Sequence, residues 1–555
     1  MIVKDYIEHQ KTYEEKYGAN TVVFMMVGSF YEVYGTEDIG KCRELAQLLN
    51  LVVTRKDKNK PEPPNLSNPL MVGIPVGAFN KYIKVLMENK YTVVVFDQKP
   101  NDPTTRCLQR IYSHGTYTED NLGSNSNHIC VIYCDFTDSA YFGLAFTDLS
   151  TGESSVREIV TGNNTIRFEE LFRIVESMNP TETLCYFSSE QECKELKSLF
   201  SSRSVSYSIL KPEYSKADYQ NAIIQKVFPC QSVLSPIECL DLELVHFARI
   251  AFVLLLQYCY EHNEACSGQL TKPTVIHDTN KLILHNNSIY QLGVFLNSKD
   301  KSLFDVVNKT FTPMGKRLLK YQLLNPSSSI SVIEQYFEDT EDILQKLDFF
   351  ESHLIEINDI ERLHKKIEQQ LCSPHELSSM MKSYSSIIAI FDKQSLSITQ
   401  DIRTWADTVS SQIDLNKCNT VLMNDICDSL LYDDYTSPEM KQQMKTYSDC
   451  KLKIDKICKK LSSCISPFEV KLEKPQKSGY FIWTTKTRGS LIKEKFGTQY
   501  TFKNDKQRCI ISNASLDTMF HKMVKCEDKI KPLAKQEYIE HLSSIYSQYG
   551  NVLKT

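Results

Sequence analysis

Val22-Val-Phe-Met-Met-Val-Gly-Ser-Phe-Tyr-Glu-Val-Tyr34 is the stretch from which the architecture reads most directly. Its first six residues are apolar, Val-rich and too few for a helix, so Val22 to Val27 read as a buried β-strand. Gly28 breaks the run and hands over to Ser29-Phe-Tyr-Glu-Val-Tyr34. The break places Phe30 and Glu32 at an element boundary, where side chains can project away from a domain. A ring and a carboxylate two residues apart can act together on nucleic acid: the ring wedges into a weakened base step while the carboxylate accepts a hydrogen bond from the displaced base. The same run also fits an ordinary strand and turn with a core Phe and a solvated Glu.

Around this run the chain is too long for one core: 555 residues imply several domains at roughly 100–200 residues each. The longest apolar run, Ile250 to Leu256, falls far short of the ~20 residues a bilayer span needs. The first residues lack the basic and apolar regions of a secretory signal. The 18 cysteines are scattered, with no Cys-x-x-Cys, so free and mostly buried thiols are expected. These features point to an intracellular, reducing compartment and no membrane. A net charge of −5 gives no chain-wide basic signal, although a multidomain protein can keep its basic surface local.

Composition and period divide the chain. Residues 1–116 read as an α/β unit with an amphipathic helix over Ile39 to Leu51 and a solvated basic loop containing Lys56 and Lys58. A polar linker over 117–127 leads to a second α/β unit, 128–236, opening with a strand hairpin and resembling an RNase H-like sheet with helices. There Asp135, Asp148 and Glu153 invite a two-metal nuclease reading. Carboxylates are common at strand edges and turns, however, and a fourth ligand is not evident, so no catalytic or metal residues are assigned.

From 237 to 440 the pattern is almost wholly helical. Thr312-Pro313, Ser373-Pro374 and Ser437-Pro438 each place a hydroxyl cap before a proline at the first helical position. Apolar residues at spacings of three and four from Ile343 to Ile367 mark long helical packing. A segment over 441–514 carries a small β insert at about 466–513, and helix resumes over 515–555. The insert's polar face is expected to carry Lys471, Lys474, Lys477, Lys486, Arg488, Lys493, Lys495, Lys503, Lys506 and Arg508, a local patch suited to phosphate contact.

Separated segments resemble one family, MutS, in the same order. Gly28-Ser-Phe-Tyr-Glu32 followed by Leu45-Ala-Gln-Leu-Leu49 resembles its mismatch-recognition motif, with Pro69-x-Met71-x-Gly73-Ile74-Pro75 and Asp97-Gln98 as later marks. Gly143-x-Ala145-x-x-Asp148-x-Ser150-Thr-Gly152 resembles the connector domain. Leu303-x-x-Val306, Thr312-Pro-Met-Gly-x-Arg-Leu-Leu319 and Asp359-Ile-Glu-Arg-Leu363 resemble the core, and Gly479-Tyr-Phe-Ile482 the clamp.

The resemblance implies a fold of α/β and mostly α domains: a mixed α/β mismatch reader, an RNase H-like connector, and a long-helix core and lever with an inserted β clamp. It implies that Phe30 stacks at a mispaired or looped-out base, that Glu32 hydrogen-bonds it, and that Lys56, Lys58, Lys471, Lys486, Arg488, Lys495 and Lys503 meet the DNA backbone. Gly77 stands where many relatives carry His, and Ser29 where a charged residue is common; neither removes a recognition residue. The family's ATPase motif Gly-x4-Gly-Lys-Ser/Thr does not occur, because the Gly-Lys pairs at 40–41 and 315–316 continue with Cys and Arg. No cofactor is therefore expected in this chain. ATP and Mg, a homo- or heterodimer partner and a MutL-like protein are expected to belong with an ATPase domain absent from this chain, which reads as either a fragment or a separately encoded N-terminal half. A branched-DNA-binding relative is the competing reading within the family; such proteins generally lack the Phe-x-Glu pair.

Overall fold

The computed structural model describes the chain apart from residues 1, 37–38, 56, 58–62, 100–101, 119–125, 163–167, 201–204, 231, 265–269, 278–280, 283–287, 296–299, 395–399, 475–478, 506–507 and 554–555, and the side chains at 103–104, 191–193 and 551–552. It is mixed α/β with three sheets, and it divides into two units, Met1–Glu351 and Ser352–Thr555.

The first sheet is built from β1 (Thr21–Val27), β2 (Phe30–Gly35), β3 (Thr54–Arg55), β4 (Leu70–Pro75), β5 (Thr92–Lys99) and β6 (Asp102–Tyr112), in the order β3-β4-β2-β1-β5-β6. Only β1 and β5 run parallel. Thr21 to Met25 are buried throughout, because β1 is central and covered on both faces, which explains its unbroken apolar run. Helices α1 (Ile2–Tyr17), α2 (Cys42–Leu49) and α3 (Phe79–Glu88) complete the layer. The buried Gln10 of α1 spends its amide on β1, donating to the Thr21 carbonyl at 2.8 Å and accepting from the Val23 amide at 2.9 Å.

Two expectations for this region are corrected. The helix expected over 39–51 is shorter, because Gly40 has φ +87° and the Thr36 amide closes a turn on the Ile39 carbonyl, leaving Ile39 exposed. Strand β6 was not anticipated. Its polar, Pro-containing sequence is tolerated because it lies at the sheet edge.

The second sheet takes β7 (His128–Asp135), β8 (Ala140–Asp148), β9 (Glu153–Thr161), β10 (Glu182–Phe187), β11 (Val205–Ile209) and β12 (Thr274–Val275), in the order β11-β10-β7-β8-β9-β12. Strand β8 is antiparallel to β7 and β9, and the remaining pairings are parallel. Around it lie α4 (Glu169–Met178), α5 (Glu190–Leu199), α6 (Ala217–Val227), α7 (Pro236–Cys239) and α8 (His246–His262).

The boundary expected after residue 236 does not hold. The run Ile250–Leu256 is buried all round inside α8, which packs on β7 and β8, and β12 pairs with β9 still further along the chain. Gly143 makes that packing possible: a Cβ there would sit 1.9 Å from the Phe247 carbonyl oxygen. Glu158 of β9 accepts from the Phe247 and Ala248 amides at 2.7 and 3.3 Å, so a carboxylate meets the α8 N-terminus.

The three hydroxyl–proline signatures start helices as read. Thr312 accepts from the Gly315 amide, Ser373 forms a full capping box with Glu376, and Ser437 accepts from the Met440 amide. The apolar periodicity from Ile343 to Ile367 is divided among helices Ile330–Leu344, Leu347–Leu354 and Ile360–Glu368.

In the second unit, helices Ile360–Glu368, Pro374–Lys393 and Gln400–Gln412 surround the fully buried Trp405 together with the 40-residue helix Ala514–Leu553. At 1.5 Å per residue that last helix spans about 60 Å. It packs along Pro438–Ser462, and between the two the chain builds the third sheet. That sheet is β13 (Lys471–Glu473), β14 (Phe481–Thr485), β15 (Thr501–Asp505) and β16 (Arg508–Ser512), antiparallel in the order β13-β14-β16-β15.

Fourteen described cysteines are free and eleven of them are buried, but Cys230 and Cys239 are joined in a disulfide, against the expectation of free thiols. Among the described residues no helix is long and apolar enough to cross a membrane.

Candidate nucleic-acid interface

Strands β1 and β2 form a hairpin closed by two residues, Gly28 and Ser29, with Val27 opposite Phe30. Gly28 has φ +61°, which a side chain would resist, so this loop asks for glycine at its first position. The Ser29 carbonyl accepts from the Val76 amide at 3.0 Å, tying the loop to the end of β4. Phe30, directly after the loop, is 44 % exposed although large and apolar.

Alternation puts Phe30, Glu32 and Tyr34 on one face of β2 and Tyr31 and Val33 on the other. Tyr31 packs against Phe79, with ring centroids 4.9 Å apart, and donates to Asp97 at 2.7 Å. On the opposite face Tyr34 is buried edge-on against Tyr6 of α1. Cover by α1 runs out along the strand: Tyr34 is buried, Glu32 half-buried and Phe30 exposed. Gly73 of β4 pairs with Glu32 and leaves the strip beside both residues bare; a Cβ there would come within 3.7 Å of the Glu32 Cγ and 3.9 Å of the Phe30 ring.

The Tyr34 hydroxyl donates to the Glu32 carboxylate. Burial, and then this bond, push the Tyr34 hydroxyl's pKa far above its ordinary value, so it remains a donor. A carboxylate offers about four lone-pair sites, so one internal bond leaves it able to accept from a base. Arg106 of β6 donates to the Met26 carbonyl at 3.1 Å and brings a guanidinium to the same end of the sheet. Sequence reading passed over it because β6 itself was not anticipated.

The basic residues of the third sheet do not share one face. Lys471, Trp483, Ile510 and Lys503 are successive cross-strand partners and therefore form a row on one side. The other side carries Ile482, Cys509 and Ile511, all buried. An unanticipated helix, Lys486–Phe496, covers that buried side: a Cβ on its Gly489 would lie 2.7 Å from the Cys509 Cβ. Its Gly, Thr and Ser residues obscured the helical pattern. Lys486, Arg488, Lys493 and Lys495 thus stand on the opposite side of the sheet from Lys471 and Lys503. The lysines of both sets are exposed, whereas Arg488 stacks 3.4 Å over the Phe468 ring. Lys474 pairs with Glu527 and Arg508 with Glu473. Lys56, Lys58, Lys477 and Lys506 lie outside the described residues.

The three carboxylates of the second sheet are not assembled for metal catalysis. Asp148 pairs with His128 and Asp135 with Tyr141, at opposite ends of the β7–β8 ladder. Seven residues of strand separate these positions by about 23 Å, whereas two-metal chemistry needs ions about 4 Å apart. Asp148 is buried and accepts from the Asn127 and Ser150 amides at 2.9 and 2.8 Å, closing the turn into β9. Among the described residues no cluster of three His, Cys, Asp or Glu side chains could hold a metal ion.

Comparison with known proteins places these elements. The family model for MutS domain I matches residues 5–121, and that for MutS domain III matches residues 283–545. A DNA mismatch repair protein MutS homologue of Acanthamoeba polyphaga mimivirus is 26 % identical over 99 % of this chain and 56 % of its own length. The DNA mismatch repair protein MutS of Clostridioides difficile is 23 % identical over 100 % of the chain and 57 % of its own length. That of Thermotoga neapolitana is 24 % identical over 70 % and 44 %. The chain spans about half the length of the curated relatives it matches. With two domain models falling on the hairpin unit and on the helical region with its inserted sheet, and with similarity running end to end, the chain belongs to the MutS family.

Proposed function

We propose that this protein recognises mispaired or looped-out bases in duplex DNA for mismatch repair, with Phe30 as the wedge and Glu32 as the acceptor for the displaced base. The observation that carries the reading is an exposed Phe30 beside a half-buried, internally oriented Glu32, both on one face of a strand bonded to neighbours on each side. A probe must not yield when it pushes into a base stack, and a mid-sheet strand with a tied turn is stiff. Kinking DNA by 40–90° costs on the order of 1–10 kcal/mol, and unstacking is cheapest where pairing is already broken. A stacked ring returns ~1–3 kcal/mol, so the wedge selects sites by deformability rather than by base identity. Glu32 adds selectivity of another kind: its charge opposes intact duplex and is compensated only where a displaced base offers a donor.

In the same reading the second sheet is the connector. Its strands β9-β8-β7-β10-β11, with only β8 reversed, suit the RNase H-like assignment. The helices Pro438–Ser462 and Ala514–Leu553 act as levers, and the third sheet is the clamp. Lys486, Arg488 and Lys495 on the helical side supply backbone contacts; Lys471 and Lys503 face the other way. ATP and Mg, a homo- or heterodimer partner and a MutL-like protein would act through residues other than these.

The deciding experiment compares binding of G·T, single-base-loop and matched duplexes by the wild type and Phe30→Ala. Loss of heteroduplex preference is expected; a preserved preference would remove Phe30 from the wedge role.

A further inference from the structure

The open face of the third sheet carries more than charge. Cross-strand pairing aligns Lys471, Trp483, Ile510 and Lys503 across all four strands, a row about 14 Å long at the usual strand spacing. Trp483, Ile510 and the neighbouring Phe481 are only half-buried, and the two lysines at the ends of the row are exposed. The Arg508 guanidinium lies 4.3 Å over the Trp483 ring, and its Nη1 is held by both Glu473 carboxylate oxygens at 3.0 and 3.1 Å. The result is a fixed, layered indole–guanidinium surface with an aromatic ring beside it and a cation at each end.

Such a face is poorly matched to duplex backbone. Phosphates need cations and hydrogen-bond donors, and Lys486 and Lys495 offer these on the other side of the sheet. The apolar middle of the row gains nothing from a duplex, whose base faces are hidden within its own stack. An unpaired strand exposes those faces, and bases stack on aromatic rings and guanidinium planes with little regard to sequence. Glu473 does not oppose the strand strongly, because Arg508 neutralises it. The acidic Asp505 lies across from Arg508 at the margin of the face.

We propose that this face is a second nucleic-acid site and binds an unpaired stretch of DNA. Bases stack on Phe481 and the Trp483–Arg508 layer, and phosphates meet Lys471 and Lys503. The site is independent of Phe30 and lies in the other unit of the chain.

The chain has two tryptophans, and Trp405 is fully buried, so Trp483 reports on its own surroundings. Titration of the full chain with oligothymidylate should quench tryptophan emission, and an abasic oligomer of equal length should bind at least about fivefold more weakly. Trp483→Phe should keep binding and lose the quench. Lys471→Ala with Lys503→Ala, both exposed and harmless to the fold, should weaken oligothymidylate binding while leaving heteroduplex preference intact. Equal binding of the abasic oligomer would overturn the proposal in favour of a charge-only surface. So would equal weakening of single strand and duplex by the lysine pair, which would make duplex the occupant. Phe30→Ala should leave oligothymidylate binding unchanged, so failure of the wedge reading is distinguishable from failure of this one.

Discussion

The Tyr34 hydroxyl donates to the carboxylate of Glu32, two residues before it on the same face of β2. A buried tyrosine whose proton is held by burial and by that acceptor fixes one oxygen of a carboxylate that stands beside the bare strip at Gly73. Tyr34→Phe removes the donor without emptying the core. Heteroduplex preference should fall severalfold with about 1.5–3 kcal/mol lost in stability, the range for a bond to a charged acceptor; paired titrations of G·T and matched duplex, with a thermal melt, test both parts.

Glu32→Ala should do something different. Removing the charge relieves repulsion from phosphates, so affinity for matched duplex should rise. Equal or weaker binding of matched duplex would contradict a selectivity role.

Lys486→Ala with Lys495→Ala should weaken all duplexes alike. Each lost phosphate contact should flatten the slope of log affinity against log salt by about 0.9. Lysines are the better choice here because Arg488→Ala would also remove the stack on Phe468 and confound charge with packing. A sequence-dependent change would argue against a backbone-only role.

Acid should weaken the first unit through His262. Burial holds its pKa down to about 3, and the ring packs against Tyr17 and Tyr258 with one nitrogen on the Tyr258 carbonyl at 2.9 Å. The unfolded chain takes a proton near pH 6.5 while the folded chain refuses it, so this contribution is whole above pH 6.5 and is lost as pH falls towards 3. By pH 4 the loss amounts to roughly 3 kcal/mol. His262→Gln cannot titrate, so melting temperature measured between pH 7.5 and 4.5 should fall less steeply in the variant; parallel curves would refute the assignment.

Gly143→Ala should destabilise by about 1–3 kcal/mol or more, because its methyl would occupy the place of the Phe247 carbonyl and force α8 off the sheet. Gly77→Ala is the control: nothing lies within 4 Å of a Cβ there, and no comparable loss is expected in a melt.

The sequence alone was sufficient for the strand from Val22 to Val27, the three capped helix starts and the family. Each of these is encoded within a few neighbouring residues: β-branched runs around a glycine, a hydroxyl before a proline, short motifs in order. It did not reveal β6, the helix Lys486–Phe496 or the membership of α8 in the second sheet, because each is held in place by distant partners. Strand β6 is largely polar and is secured by pairing with β5 and by partners remote in the chain. The helix has its pattern interrupted by Thr487, Gly489 and Ser490 and rests on Cys509. The apolar run of α8 shows burial without showing against what.

The same division holds for the site. Local pattern determined that Phe30 and Glu32 follow the break at Gly28, two residues apart. Only the tertiary structure decided that Phe30 is exposed, that Glu32 is held by Tyr34, and that the lysines of the third sheet and its covering helix separate onto two sides. Exposure depends on where α1 stops covering β2, and sidedness on cross-strand register. Both are relations between segments remote in the chain, which no local pattern contains.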